Sequence, residues 1–374
     1  MFAIAAPALD TLVAVFGGML VIGIALRYSE YIPSRWAEYR RTGLSGLVQV
    51  RVLWLALGGV LAVLGLMVVG LIVGDFPISP GDALRTALWD RGGEFDFIVN
   101  TLRFPRVTVA VLAGMCLAMS GAIFQGLIGN PLVSPDIIGI NSGAAVCAVF
   151  ILVVGGDVSI LPYAAFIGAV STAIVIYLLA WKRGVSGSRL VLVGIGINSV
   201  LTAAITFMQV RYPIERVIAA ARWQAGSLFG ASWDDARTLA IGLAILMPPA
   251  FFLMRRLRIL QLGDDAAASM GLHVERDRLL LITVGSGLAA IAVAVVGPLG
   301  FVALLVPHLA RLLAGNLTGG VLLFTALLGA VFLLGADLIA QRLFAPTILP
   351  AGVVTAALGG PYFLFLLARY NRAV

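Results

Sequence analysis

Long apolar runs separated by short polar segments dominate the sequence. A membrane-spanning helix takes about 20 apolar residues, and the pattern predicts about ten such helices between residues 51 and 374. The predicted spans are Val52–Val73, Phe104–Leu127, Ile137–Val154, Leu161–Trp181, Leu190–Gln209, Ala236–Met254, Leu279–Val296, Phe301–Leu313, Val321–Arg342 and Gly352–Ala368. We therefore expect an all-α polytopic membrane protein.

The first fifty residues differ from the rest. Ala8–Leu26 predicts an additional N-terminal helix, and an Arg-rich linker follows it. We expect an uncleaved anchor rather than a signal peptide, because the basic residues follow the apolar run instead of preceding it. A misassigned start codon is the alternative. The predicted division is 1–50 as an N-terminal extension and 51–374 as the transmembrane domain.

Composition supports a membrane protein. The 374 residues are 61% hydrophobic and 11% charged, whereas soluble domains are about one-quarter charged. The net charge of +7 is spread without a dense basic run, which argues against a nucleic-acid partner. The single lysine, Lys182, lies in no G-x-x-x-x-G-K-[ST] sequence, so any nucleotide hydrolysis would be the work of another chain.

Orientation follows from the basic residues, which favour cytoplasmic loops. With the linker Arg27–Arg51 placed in the cytoplasm, most of the 25 basic residues fall on the cytoplasmic side, as does the C-terminus. Arg103 and Arg106 stay on the outer side against this bias. They are either interface anchors or a docking pair for acidic residues of a soluble partner.

Small residues share one face of the span Phe104–Leu127. Gly114, Ala118, Gly121 and Ala122 are spaced to let neighbouring backbones approach closely. This pattern predicts a helix in the interior of the bundle.

Ionisable residues are scarce within the spans. Asp337 alone lies well inside one, towards its outer end, and we expect it to be paired. Ion-coupled carriers usually need such groups at membrane depth, so their scarcity argues against a secondary transporter. We find no catalytic cluster for a membrane enzyme, and we interpret His273 and His308 as structural residues rather than ligands of a metal or haem.

A polar segment precedes the span Leu279–Val296. In Leu262–Val274, Asp264 and Asp265 would occupy the first turn of a short helix, where the helix dipole favours anions, and Gly271 would stop it. Such a segment is either an ordinary surface helix or a lever that a partner ATPase moves.

Several sequence blocks carry a family resemblance. They include LRFPR, MSGAIFQGLIGNPL, SPDIIGINSGA, RWQAGSLFGASWDD, AVAVVGPLGFVALLVPHLARLL and ILPAGVVTAALGGPYFLFLL. From about Val52 to the C-terminus the chain resembles the permease subunit of bacterial ABC importers for iron-siderophores, haem and vitamin B12. The resemblance implies the helical fold of the vitamin B12 importer permease. The pentapeptide IGINS occurs twice, by duplication or by chance.

The resemblance also implies roles for individual residues. Arg103 and Arg106 match arginines that contact the binding protein; a third such arginine falls at Gln341, with Arg342 adjacent. The implied cytoplasmic gate comprises Asn130, Leu132, Gly187 and Ser188. The implied ATPase coupling helix comprises Leu262, Gly263, Asp264, Asp265, Ala266, Ala267, Met270 and Gly271.

The implied assembly holds two permease chains, identical or related, with two ATPase subunits below and one periplasmic or lipid-anchored binding protein above, in the inner membrane. ATP and Mg²⁺ would bind the ATPase, so no cofactor or metal is expected in this chain and it would not be an enzyme. The expected cargo is a metal chelate, with ferric siderophore ahead of haem and cobalamin. An ion-coupled secondary transporter is the alternative.

Overall fold

The structure is a computed structural model that describes residues 36–41, 44–74, 76–182, 187–345 and 347–370. The predicted N-terminal span Ala8–Leu26 lies outside these residues. Ahead of the first helix, two short strands, β1 (Trp36–Arg41) and β2 (Leu44–Gln49), pair antiparallel, whereas the sequence predicts only a linker there.

The rest of the described chain is helical. The α-helices are α1 (Val50–Ile72), α2 (Pro80–Leu88), α3 (Phe104–Ile128), α4 (Pro135–Ile138), α5 (Ile140–Val154), α6 (Leu161–Ala180), α7 (Gly187–Arg211), α8 (Ile214–Gln224), α9 (Trp233–Leu260), α10 (Asp264–Ser269), α11 (Val274–Val296), α12 (Val302–Ala314), α13 (Gly319–Arg342) and α14 (Ala351–Tyr370). A π-helical segment, Phe97–Arg103, leads directly into α3, and a 3₁₀ turn, Val158–Ile160, leads into α6.

The predicted membrane helices are confirmed within the described residues. Seven helical segments are long and apolar enough to cross a membrane. Shorter apolar helices, α5, α12 and the first part of α14, supply the remaining predicted spans. The fold is therefore the predicted polytopic helical bundle.

Helix α3 lies at the centre of the bundle, packed against α9, α11, α12 and α13. The small-residue face explains this position. A side chain at Gly114 would overlap the carbonyl oxygen of Gly329 on α13, and one at Gly121 would overlap that of Ala303 on α12. Ala118 and Ala122, on the same face, are fully buried. The predicted interior helix is confirmed.

The two IGINS copies lie against each other. The Ser142 hydroxyl is hydrogen-bonded to the side-chain oxygen of Asn198, and a side chain at Gly194 would overlap the backbone of Ile138. The segment containing the first copy is split by Gly139, whose φ of 101° ends α4 and starts α5. Both copies thus contribute residues to the contact of α4 and α5 with α7.

Candidate docking, gate and coupling sites

The outer-end arginines both have partners within the chain. Arg103 donates hydrogen bonds to the carbonyl oxygens of Leu71 at 2.8 Å, Ile72 at 2.9 Å and Phe76 at 2.6 Å. The last carbonyls of a helix lack partners inside that helix. Arg103 therefore caps the C-terminal end of α1 and joins it to the start of α3.

Arg106 is held by Asp337 across the contact between α3 and α13. Its Nε and one terminal nitrogen donate to the two carboxylate oxygens of Asp337 at 2.9 and 2.8 Å. The side chains are only 12% and 1% exposed. The pairing expected for Asp337 is confirmed.

The position of the third family arginine completes this cluster. Gln341 donates to the Asp337 carboxylate at 2.8 Å, one helical turn further along α13, and Arg342 follows as the last residue of that helix. The structure thus gathers the predicted docking residues at one end of the bundle, where α3 begins and α13 ends. Arg103 and Arg106 also stabilise the fold there, which sequence reasoning did not foresee.

The predicted gate residues come together at the other end of α3. Gly129 ends the helix with a φ of 70°, and the Asn130 side-chain oxygen then accepts a hydrogen bond from the Leu132 N–H at 2.9 Å. At the start of α7, a side chain at Gly187 would lie 3.1 Å from the Cα of Ile128. Ser188 follows on the exposed side of the same turn. The two gate segments therefore meet beside the end of α3.

The predicted coupling segment forms a short helix at the surface. Helix α10 has Asp264 and Asp265 in its first turn, as predicted, and its residue Ala267 is buried. Glycines with positive φ flank it, Gly263 before and Gly271 after. The apolar side chains on either side of α10 face outward: Leu262 is 65% exposed and Met270 is 58% exposed.

Ion pairs fix α10 to the helices around it. Arg278 of α11 donates to Asp264 at 2.8 Å and to Glu275 at 3.4 Å. Arg256, near the end of α9, pairs with Asp277, which is buried at the start of α11. The exposed helix is thus attached to α11 by the Arg278–Asp264 pair, and α11 is attached to α9 by the Arg256–Asp277 pair.

One further hydrogen bond joins the coupling segment to α3. The Gln261 amide donates to the Gly126 carbonyl oxygen at 3.0 Å. Gln261 directly precedes the coupling segment, and Gly126 lies in the last turn of α3 before the gate. Sequence reasoning missed Gln261, because a glutamine beside a polar loop carries no signal of a long-range partner. The described residues hold no group of three or more His, Cys, Asp or Glu that could bind a metal ion.

Comparison with known proteins agrees with this architecture. The FecCD transport family matches residues 61–369. The chain is 41% identical over 326 residues to Bacillus subtilis YfhA, named a probable siderophore transport system permease protein, covering 84% of this chain and 95% of that one. It is 40% identical over 304 residues to Escherichia coli FepG, a ferric enterobactin transport system permease protein, covering 81% and 92%.

A solved structure extends the comparison to the fold. A chain described as an inward-facing conformation of a metal-chelate type ABC transporter aligns with a TM-score of 0.75 and 26% identity, covering 85% of this chain and 99% of that one. Sequence and structure agree over nearly the whole described bundle. This multi-pass membrane protein belongs to the FecCD transport family and is an ABC transporter permease.

Proposed function

We propose that this chain is the translocation subunit of an ATP-driven importer that brings a metal chelate across the inner membrane, with its C-terminus in the cytoplasm. The relatives include permeases named for siderophores, for ferric citrate and for hemin. Ferric siderophore is the proposed cargo, ahead of haem and cobalamin. A partner ATPase binds the ATP and Mg²⁺, and this chain itself holds no cofactor.

The hydrogen bond between Gln261 and the Gly126 carbonyl carries the mechanistic proposal. A coupling helix must contact its ATPase and must also be attached to the gate segments that it moves. Leu262 and Met270 offer apolar contacts at the surface. Gln261 attaches the same segment to the last turn of α3, four residues before Asn130. Movement of α10 by an ATPase would therefore reach the gate segments Asn130–Leu132 and Gly187–Ser188 through this contact.

The end of the bundle where α3 begins and α13 ends is the proposed docking surface for a solute-binding protein. Arg103, Arg106 and Arg342 would face acidic residues of that partner. Asp337 already neutralises much of the Arg106 charge, so we expect docking charge pairs to affect association rate and salt dependence more than affinity. A second permease chain, identical or related, would complete the pathway.

Uptake by reconstituted vesicles tests the proposed function. The chain is combined with a partner ATPase and binding protein, and accumulation of labelled ferric siderophore is measured. Accumulation should require ATP and persist after ionophores collapse the ion gradients. Accumulation without ATP that stops with the ion gradient would establish secondary transport instead. The Arg106–Asp337 pair favours the first outcome, because it leaves no lone carboxylate in α13 for a proton relay.

Charge reversal tests the docking surface. Arg103→Glu and Arg106→Glu should weaken binding of the solute-binding protein and leave ATPase association unchanged. Arg237→Glu is the matched control, since Arg237 is an exposed arginine near the outer start of α9. If all three variants bind the solute-binding protein as tightly as the unmodified chain does, these arginines do not belong to the interface.

A further inference from the structure

A cavity of about 630 Å³ opens at the predicted cytoplasmic end of the bundle. It lies between the last turn of α3, the last turn of α9 and the C-terminal half of α12. The predicted gate borders it through Pro131, and the predicted coupling segment borders it through Gly263. Gln261 and Gly126, which join the coupling segment to α3, lie in its wall, whereas the transport mechanism assigns no ligand to the space itself.

The lining of this cavity is basic, and none of the described residues in it is acidic. Arg311 supplies a full positive charge, and His308, Gln261 and Asn316 supply further polar groups. His308 and Arg311 are three residues apart in α12, so they lie on the same face of that helix. The remaining walls are mainly apolar, with Leu312 exposed at 61%.

Arg311 is held in place by a neutral partner. It donates to the side-chain oxygen of Gln125, whose amide nitrogen in turn donates to the Leu304 carbonyl oxygen at 2.9 Å. Gln125 is buried and Arg311 is partly buried. Among the residues that the structure describes, no carboxylate pairs with Arg311. Its charge is thus fixed at the cavity wall without a counter-ion.

This arrangement favours an anion of a particular kind. Withdrawing a cation from water is costly unless an opposite charge accompanies it. A guanidinium fork matches the oxygens of a phosphate group, and the additional donors at the wall would share that charge. Basic pockets between helices on the cytoplasmic side are typical sites for anionic lipid headgroups, and the apolar walls would accommodate the start of an acyl chain.

We propose that this cavity binds a phosphate group, with Arg311 as its principal contact and His308, Gln261 and Asn316 around it. The phosphodiester of an anionic membrane lipid and free inorganic phosphate share this chemistry. The proposal concerns binding to the chain itself and does not depend on the direction or energy source of transport.

Binding is measured on the purified full-length chain in neutral detergent, by native mass spectrometry and by thermal unfolding. The separate additions are phosphatidylglycerol, phosphatidylcholine and inorganic phosphate. If a lipid is the ligand, phosphatidylglycerol should bind and raise the unfolding temperature, with inorganic phosphate weak. If free phosphate is the ligand, inorganic phosphate should also bind and raise the unfolding temperature. Equal binding of phosphatidylglycerol and phosphatidylcholine, with no binding of phosphate, would overturn the proposal.

Variants locate the bound group. Losing one charge-assisted contact costs enough that Arg311→Gln should weaken phosphate-dependent binding about tenfold. Arg311→Lys should retain part of the phosphate-dependent binding. Asn316→Asp adds a negative charge at an exposed position of the wall and should also weaken binding, in a background where folding is not at risk. Arg258→Gln, at an exposed arginine of α9 outside the cavity, should bind as the unmodified chain does.

The variants also give an outcome that excludes the site. If Asn316→Asp and Arg258→Gln bind phosphatidylglycerol and phosphate equally well, the ligand lies elsewhere and the proposal fails. Because these measurements need no ATPase, binding protein or cargo, their failure would leave the proposed transport function untouched.

Discussion

The carboxylate of Asp337 accepts two hydrogen bonds from the guanidinium of Arg106, although the two residues lie 231 positions apart in the chain. The pair joins the first turn of α3 to the last turns of α13 at the predicted outer end of the bundle. Gln341 donates a third hydrogen bond to the same carboxylate. A residue predicted to bind a partner protein thus has a structural partner in its own chain.

Removing the Asp337 charge should destabilise the protein. Asp337→Asn would leave the largely buried Arg106 guanidinium without the carboxylate that pairs with it, and breaking such a pair costs about 3 kcal/mol. Equilibrium unfolding in mixed micelles of a mild detergent and dodecyl sulfate measures this free energy. Asp234→Asn is the control, because Asp234 is exposed. Equal unfolding free energies for both variants would contradict a stabilising role for the pair.

Adding one methyl group at Gly114 should force α3 and α13 apart. Its Cβ would overlap the backbone of Gly329, which cannot move aside as a side chain could. We expect Gly114→Ala to lower the unfolding free energy by about 2 kcal/mol, a typical cost of overpacking. Gly65→Ala in α1 is the control, since nothing lies within 4 Å of its added Cβ. A stable Gly114→Ala protein would show that this contact tolerates separation.

The cap that Arg103 forms on α1 should be sensitive to Gly74. A side chain at Gly74 would overlap the guanidinium of Arg103 and displace it from the carbonyl oxygens that it binds. Gly74→Ala and Arg103→Gln should each cost about 2 kcal/mol, the scale of hydrogen bonds to a charged group.

The double variant tests the shared cause. Because both changes remove the same hydrogen bonds, the combined loss should be well below the sum of the single losses. Gly81→Ala, where the nearest atom to the added Cβ is 4.0 Å away, should leave stability unchanged. Additive losses would mean that Gly74 and Arg103 act independently.

Loosening α10 should reduce the efficiency of transport. Arg278→Gln removes the ion pair with Asp264 and frees the start of α10 from α11. A partly exposed pair of this kind is worth up to about 1 kcal/mol, so we expect about a threefold fall in cargo transported per ATP hydrolysed. Arg276→Gln, an exposed position on the same helix, is the matched control.

The two measurements have to be made together. ATP hydrolysis by the reconstituted complex should continue in Arg278→Gln while uptake falls. If hydrolysis and uptake fall in equal proportion, the variant has lost ATPase association rather than coupling. If hydrolysis and uptake both stay at the rates of the unmodified chain, the Asp264 pair does not transmit movement.

Much of the fold follows from local sequence. The spans were predictable because a membrane helix satisfies its own backbone hydrogen bonds, so its length and apolar character suffice to identify it. The interior position of α3 was predictable from Gly114, Ala118, Gly121 and Ala122, since small residues permit close helix packing. The short helix α10 was predictable from its first-turn acids and the glycine that follows.

What the sequence determined by itself was therefore the approximate position of each membrane-spanning helix, the central one among them and the location of the candidate sites along the chain. Only the tertiary structure decided which of their side chains meet: Arg106 with Asp337, Arg278 with Asp264, and Gln261 with the Gly126 carbonyl. The physical reason is the range of each interaction. Apolar length and helix propensity act between neighbouring residues, whereas each of these polar contacts depends on how separate helices pack.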